Sequence, residues 1–161
     1  MPARAVPQSM TPILANVIWP ALILEGRLLS VLVIAAGLVI EFPFVLRLTD
    51  LSPKRCLVAD LTMNAVSTLA GIILIPLSGL VWEVSLGAAV QAIFHLGTFN
   101  PAAWIGTGVF AALTNAGIEA TVLRFVFKQR ITKASFCWFW LANGLSVAPA
   151  LLSLYLHPPR L

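Results

Sequence analysis

Charge is what this chain has least of. Ten of its 161 residues are Lys or Arg and six are Asp or Glu. That is 10% charged, where a soluble domain carries about 25%. Such a deficit excludes a surface built to face water. With 60% hydrophobic residues and a mean hydropathy of +0.97, the expected solvent is lipid. The net charge of +4 does not point to nucleic acid, because the basic residues gather in two short loops. Cysteine is nearly absent. Cys56 and Cys137 form no Cys-x-x-Cys pair and no metal-type spacing. They read as small packing residues on a side where thiols stay reduced. Histidine is equally scarce. His95 and His157 both fall on the outer side, with none at a matching depth inside, so neither haem nor metal is expected. There is no Gly-x-Ser-x-Gly, no His-Glu-x-x-His and no P-loop. The chain is not expected to be an enzyme or to hold a cofactor.

What is present is apolar sequence in spanning lengths. A membrane helix needs about 20 mainly apolar residues. Four stretches meet this: about 28–48, 56–75, 103–127 and 134–156. Residues 11–24 are apolar but short, and Pro20, Glu25 and Arg27 interrupt their continuation. They read as an interfacial or re-entrant segment. A signal peptide fits poorly, since Asn16 and Pro20 fall in its would-be apolar core. A second interfacial helix is expected over about 81–96, where Glu83, Gln91 and His95 make a poor span.

The loops set the orientation. Arg47, Lys54 and Arg55 lie between the first two spans, and Arg124, Lys128, Arg130 and Lys133 between the last two. The connection 76–100 has no Lys or Arg. Positive-inside topology puts both basic loops in the cytoplasm or its organellar equivalent. Both termini then face the other side. Arg4, Arg27 and Arg160 oppose this but are outnumbered. Trp19, Trp82 and Trp104 are expected near the outer boundary, and Trp138 and Trp140 near the inner one.

Two stretches look like copies of one pattern. Ile40-Glu41, Val45-Leu46-Arg47, Lys54, Asn64 and Ser67 are matched by Ile118-Glu119, Val122-Leu123-Arg124, Lys133, Asn143 and Ser146. The offset is 78 at the glutamates, 77 at the triplets and 79 at the Lys, Asn and Ser positions. Self-similarity of this kind sets the architecture. The expected fold is an all-α integral membrane protein of one domain, 1–161. It is a four-transmembrane-helix bundle of two parallel-repeated helical hairpins (about 28–76 and 101–156), with interfacial helices and an interfacial segment over about 77–100. Its pseudo-twofold axis would lie along the membrane normal.

Each predicted span carries one small or polar stripe. These are Ser30, Ile34, Gly37 and Glu41; Asp60, Asn64, Ser67 and Gly71; Gly108, Ala112, Asn115 and Glu119; and Asn143, Ser146, Ala150 and Ser153. Helical spacing puts each set on one face, and small faces meet in a membrane interior. Glu41 is six residues from Arg47, about 9 Å at roughly 1.5 Å per residue. Each glutamate can therefore lie level with its own hairpin's asparagine. The candidate intramembrane polar site is Glu41, Asp60, Asn64, Ser67, Asn115, Glu119, Asn143 and Ser146.

Two readings of these residues compete. Either Glu–Asn bonds lock the hairpins, or the carboxyls form a proton or cation site, because charge in a span is usually retained for function. Asp60 has no counterpart in the second copy, where Phe139 and Trp140 stand. It can join Glu41 at a cation or simply pair with Lys54 or Arg55. Pro43, Pro76 and Pro149 read as ordinary kinks of membrane helices. The leading expectation for function is a non-catalytic accessory or structural subunit of a larger membrane assembly. The alternative is a small oligomeric transporter or proton/cation channel using Glu41 and Glu119. The partners expected are the lipid bilayer and either other membrane subunits or further copies of the chain, with no nucleic acid. The membrane is expected to be a bacterial inner membrane or an organellar equivalent.

Overall fold

The computed structural model describes residues 21–94 and 101–157, and these are helical with no strand among them. Residues 21–28 form a short helix. After it come α1 (Val31–Leu48) and α2 (Pro53–Trp82), then a π-helical turn (Glu83–Gly87) that runs directly into α3 (Ala88–Phe94). Two long helices come next, α4 (Pro101–Phe125) and α5 (Lys133–Leu156). The expected features at Trp19 and residues 11–20, at His95 and residues 96–100, and at Arg160 lie outside the described residues.

Local chemistry fixes the ends. Ser30 caps α1, its side chain accepting from the Val33 amide. Pro53 sits at the start of α2, where its missing N–H costs nothing. Thr132 and Ser135 form a reciprocal capping box that starts α5. The two basic loops touch, since the Asp50 amide donates to Gln129 Oε1 at 3.1 Å.

The four long helices pack in a ring. α1 lies against α2 and α5, and α4 lies against the same two. α1 and α4 thus sit on one diagonal, α2 and α5 on the other. Two apolar clusters fill the ring. One holds Val45, Cys56, Met63, Leu123 and Phe139 at the end carrying the basic loops. The other holds Leu24, Ile75, Ala111, Ala150 and Leu154 toward the opposite end. Large apolar side chains such as Val31, Leu69, Ile73 and Leu152 point outward.

Three helices are long and apolar enough to cross a membrane: Val31–Leu48, the continuous Pro53–Phe94 and Lys133–Leu156. α4, the other of the four expected spans, is long enough but less apolar and falls outside this set. It is the helix with the longest buried stretch, and it carries Gly106, Thr107, Gly108, Thr114, Asn115 and Glu119. Close packing among protein neighbours selects small and polar residues, which lower its hydropathy.

The helix expected over about 81–96 is not a separate element, as far as the described residues reach. Pro76 lies inside α2, and the helix continues past it to Phe94. A proline removes one helical hydrogen bond, a modest cost where neighbouring groups take up the freed backbone. Ser78, for example, donates to the Ile75 carbonyl at 2.8 Å. Glu83 does not break the helix either. It is buried and accepts from Gln91 Nε2 at 2.8 Å. The 42 residues of Pro53–Phe94 rise about 63 Å at roughly 1.5 Å each. That is twice the roughly 30 Å hydrocarbon thickness.

Of the expected interfacial or re-entrant segment 11–24, only 21–24 fall among the described residues, and they belong to the short helix 21–28, which packs on the ring. Leu24 and Glu25 are buried, and Ala21 packs on Gly79 of α2 so closely that a Cβ on that glycine would come within 2.4 Å of the Ala21 Cβ. Of the two cysteines, Cys56 is buried as expected, whereas Cys137 is exposed.

Candidate functional site

The site begins with two asparagines that make the same bonds. Asn64 Nδ2 donates to Glu41 Oε2 at 2.9 Å and to the Asp60 carbonyl one turn back at 3.2 Å. Asn143 Nδ2 donates to Glu119 Oε2 at 2.7 Å and to the Phe139 carbonyl at 3.1 Å. Three residues on, Ser67 donates to the Asn64 carbonyl at 3.2 Å, and Ser146 to the Asn143 carbonyl at 3.0 Å. The serines also face the opposite hairpin. The Ser146 side chain lies near the Glu41 carboxyl and Ser67 near that of Glu119, while each hydroxyl donates its one proton to the asparagine carbonyl of its own helix. Each glutamate accepts from its own hairpin's asparagine and has the other hairpin's serine nearby.

Glu41 and Glu119 come from the two diagonal helices, so their carboxyls approach the middle of the ring. Asp60 acts on both as a third charge. No basic side chain acts on any of the three. The expected pairing of Asp60 with Lys54 or Arg55 does not form. Its Oδ1 has no hydrogen-bond partner although the residue is 1% exposed. Asn115 Oδ1 and Asn143 Oδ1 are likewise buried without a partner. Turning the Asn143 amide over would not help, because its oxygen would then meet Glu119 and the Phe139 carbonyl. The centre therefore has more acceptor oxygens than donors, which is costly in a low-dielectric interior.

A cavity of about 50 Å³ joins these groups. Glu41, Asn64, Ser67, Asn115, Glu119 and Ser146 line it, and Glu25 lines its other end. That volume has room for a few waters, and the polar wall supplies partners for them. Gly37 keeps the space open. A Cβ there would stand 3.6 Å from Ser146 Cβ and 3.8 Å from Glu41 Oε1.

Among the described residues no group of three or more His, Cys, Asp or Glu is arranged to hold a metal ion. The arrangement suits a proton, water or a small monovalent cation held by oxygen. The structure brings together every residue of the expected polar site. Six of the eight line the cavity, while Asp60 and Asn143 stand behind its wall.

Sequence reasoning missed Glu25. It lies before the first predicted span and reads there only as an interruption. Burial pushes its carboxyl above the usual carboxylate range. A second polar cluster also went unseen. Trp82 Nε1, Glu83 Oε1 and Thr107 Oγ1 are buried without partners around the π-helical turn. The Trp82 ring lies on Gly106, where an added Cβ would come within 2.2 Å of it, and against Phe110 at 5.8 Å between centroids.

Comparison of the chain with protein-family models, curated proteins and solved structures gave no match.

Proposed function

We propose that this chain is a small polytopic membrane protein that takes up a proton or a small monovalent cation at its paired glutamates and passes it through the bundle. In this reading all four long helices span the membrane as two parallel-repeated hairpins. The ring order supports the repeat, since half a turn about its axis carries α1 onto α4 and α2 onto α5. The matching Asn and Ser bonds support it at the level of atoms. The basic loops face the cytoplasm or its equivalent.

One observation carries the function. Three buried carboxyls and orphaned amide oxygens converge with no basic partner. Buried acids without a counter-charge are held only with protons or a cation beside them. The reading needs no catalytic chemistry. Its test is flux in liposomes. Purified protein should carry protons or a monovalent cation above empty vesicles, and Glu41→Gln and Glu119→Gln should each abolish this while leaving the protein folded. Flux that survives both changes would make the carboxyls purely structural.

The accessory-subunit reading has its own support. An outward groove of about 320 Å³ between α4 and α5 is lined in part by Gly108, Ala112 and Gly144. Gly144 is exposed on this face and the buried Gly108 and Ala112 form the groove's floor, which lets another helix approach closely. Native mass spectrometry after mild extraction separates the cases. Unrelated subunits in fixed ratio support an accessory role, and a homo-oligomer supports a self-contained pathway.

A further inference from the structure

The cavity is not symmetric along the bundle, and its asymmetry has a direction. It starts at the glutamate pair and runs between α1 and α2 to Glu25, Leu28 and Leu29. These residues precede α1, at the end opposite both basic loops. At that end Leu29 and Ile72 on its wall are exposed. In the other direction the cavity stops. Val45, Met63, Leu123 and Phe139 are packed together there, none more than 1% exposed. Asp60 is buried beside Ala59 and Met63 of this cluster, behind the closed wall. The second apolar cluster borders the open direction on both sides: Ala111, Ala150 and Leu154 fill the α4–α5 side, while Ile75 and the Leu28 and Val33 side chains packed on the cluster form the cavity wall along α1 and α2.

We propose that the glutamate centre is reached by water and small cations from one side only, the side opposite the basic loops, and that Glu25 is the carboxyl at the mouth that draws cations in. This rests on the functional reading above and deepens it by naming the entrance. A cavity large enough for water, polar at the glutamate pair and walled by Leu28, Leu29, Val33, Ile34 and Ile75 toward Glu25, joins Glu25 to Glu41 and Glu119, and an apolar plug closes the other direction. A carboxyl at the mouth of a low-dielectric cleft concentrates counter-ions there. The short helix 21–28 thus contributes to the site as well as covering the end of the ring.

The test is the accessibility of substituted cysteines to Ag⁺, a thiol-reactive cation small enough for this cavity. Cys56→Ser and Cys137→Ser provide a background without thiols. Ser67→Cys and Thr68→Cys, both on the cavity wall, are made separately, so that one remains if the other fails to fold. Ag⁺ is added to sealed vesicles of either orientation, and the thiols left are counted after denaturation. The expected result is rapid reaction from the side opposite the basic loops and slow reaction from the basic side. Adding Glu25→Gln should lower the fast rate roughly tenfold. Equal rates from both sides, faster reaction from the basic side, or a rate indifferent to Glu25→Gln would overturn the proposal. The readout requires no transport. Failure of the flux assay would remove the functional reading and leave this asymmetry standing, whereas symmetric labelling would remove the entrance alone.

Discussion

The two Glu–Asn pairs should be measurably coupled, and unequally. In a double-mutant cycle Glu119→Ala, Asn143→Ala and the double variant isolate one pair, and Glu41→Ala, Asn64→Ala and their double isolate the other. Interhelical hydrogen bonds in membranes average about 0.6 kcal/mol by such cycles, with a maximum of about 1.7. Glu119–Asn143 belongs near the top of that range. Its bond is 2.7 Å long, and both residues are 1% exposed. Glu41–Asn64 is 2.9 Å long with a half-buried asparagine, so about 1 kcal/mol is expected. The assay is reversible unfolding in mixed micelles or bicelles. A coupling within about 0.5 kcal/mol of zero is what independent sites give. Finding that for Glu119–Asn143, or a larger coupling for Glu41–Asn64, would refute the view that these bonds lock the hairpins.

Other changes test other parts of the structure by the same unfolding assay. Asp60→Leu should stabilise the protein by about 1–3 kcal/mol, because it removes a buried acid that lacks a partner; a loss of stability would mean that the folded protein compensates this carboxyl after all. Gly106→Ala should cost about 1–3 kcal/mol by overpacking and change the near-ultraviolet signal of Trp82, which the new methyl would displace. Gly144→Ala meets nothing within 4 Å and should leave stability unchanged or raise it by up to about 1 kcal/mol. Thr132→Ala removes the capping box of α5 and should cost about 1 kcal/mol.

Much of this arrangement could be read from residue order, for a physical reason. A helix has a fixed period, so Asn64 and Ser67, or Asn143 and Ser146, must share a face whatever surrounds them. The basic loops fix the depth of each glutamate, and equal depth makes a bond with its asparagine available. Which serine of the opposite hairpin comes near each glutamate was not legible, because no spacing within one hairpin says which neighbour lies across the ring. Glu25 was missed for a related reason. Its value comes from a cavity between α1 and α2, and a cavity is a property of packing. α4 falls outside the set of long apolar helices because the small and polar residues it packs against α2 and α5 lower its hydropathy, while Ile105, Val109 and Leu113 on its other face are exposed. The end of α2 was misjudged because Pro76 and Glu83 weaken a helix locally, while packing and the Gln91 bond hold it.

The central claim is that Glu41 and Glu119 take up a proton or a small cation. Infrared difference spectroscopy of the protein in lipid tests it most directly, because protonated and ionised carboxyls absorb at different frequencies. Raising the pH, or adding Na⁺ or Li⁺ at fixed pH, should replace a protonated-carboxyl band with a carboxylate band. Glu41→Gln and Glu119→Gln should each shrink the change, and the double variant should lose most of it. A spectrum that does not respond to pH or cation in the wild-type protein, or a response left intact in the double variant, would contradict the account.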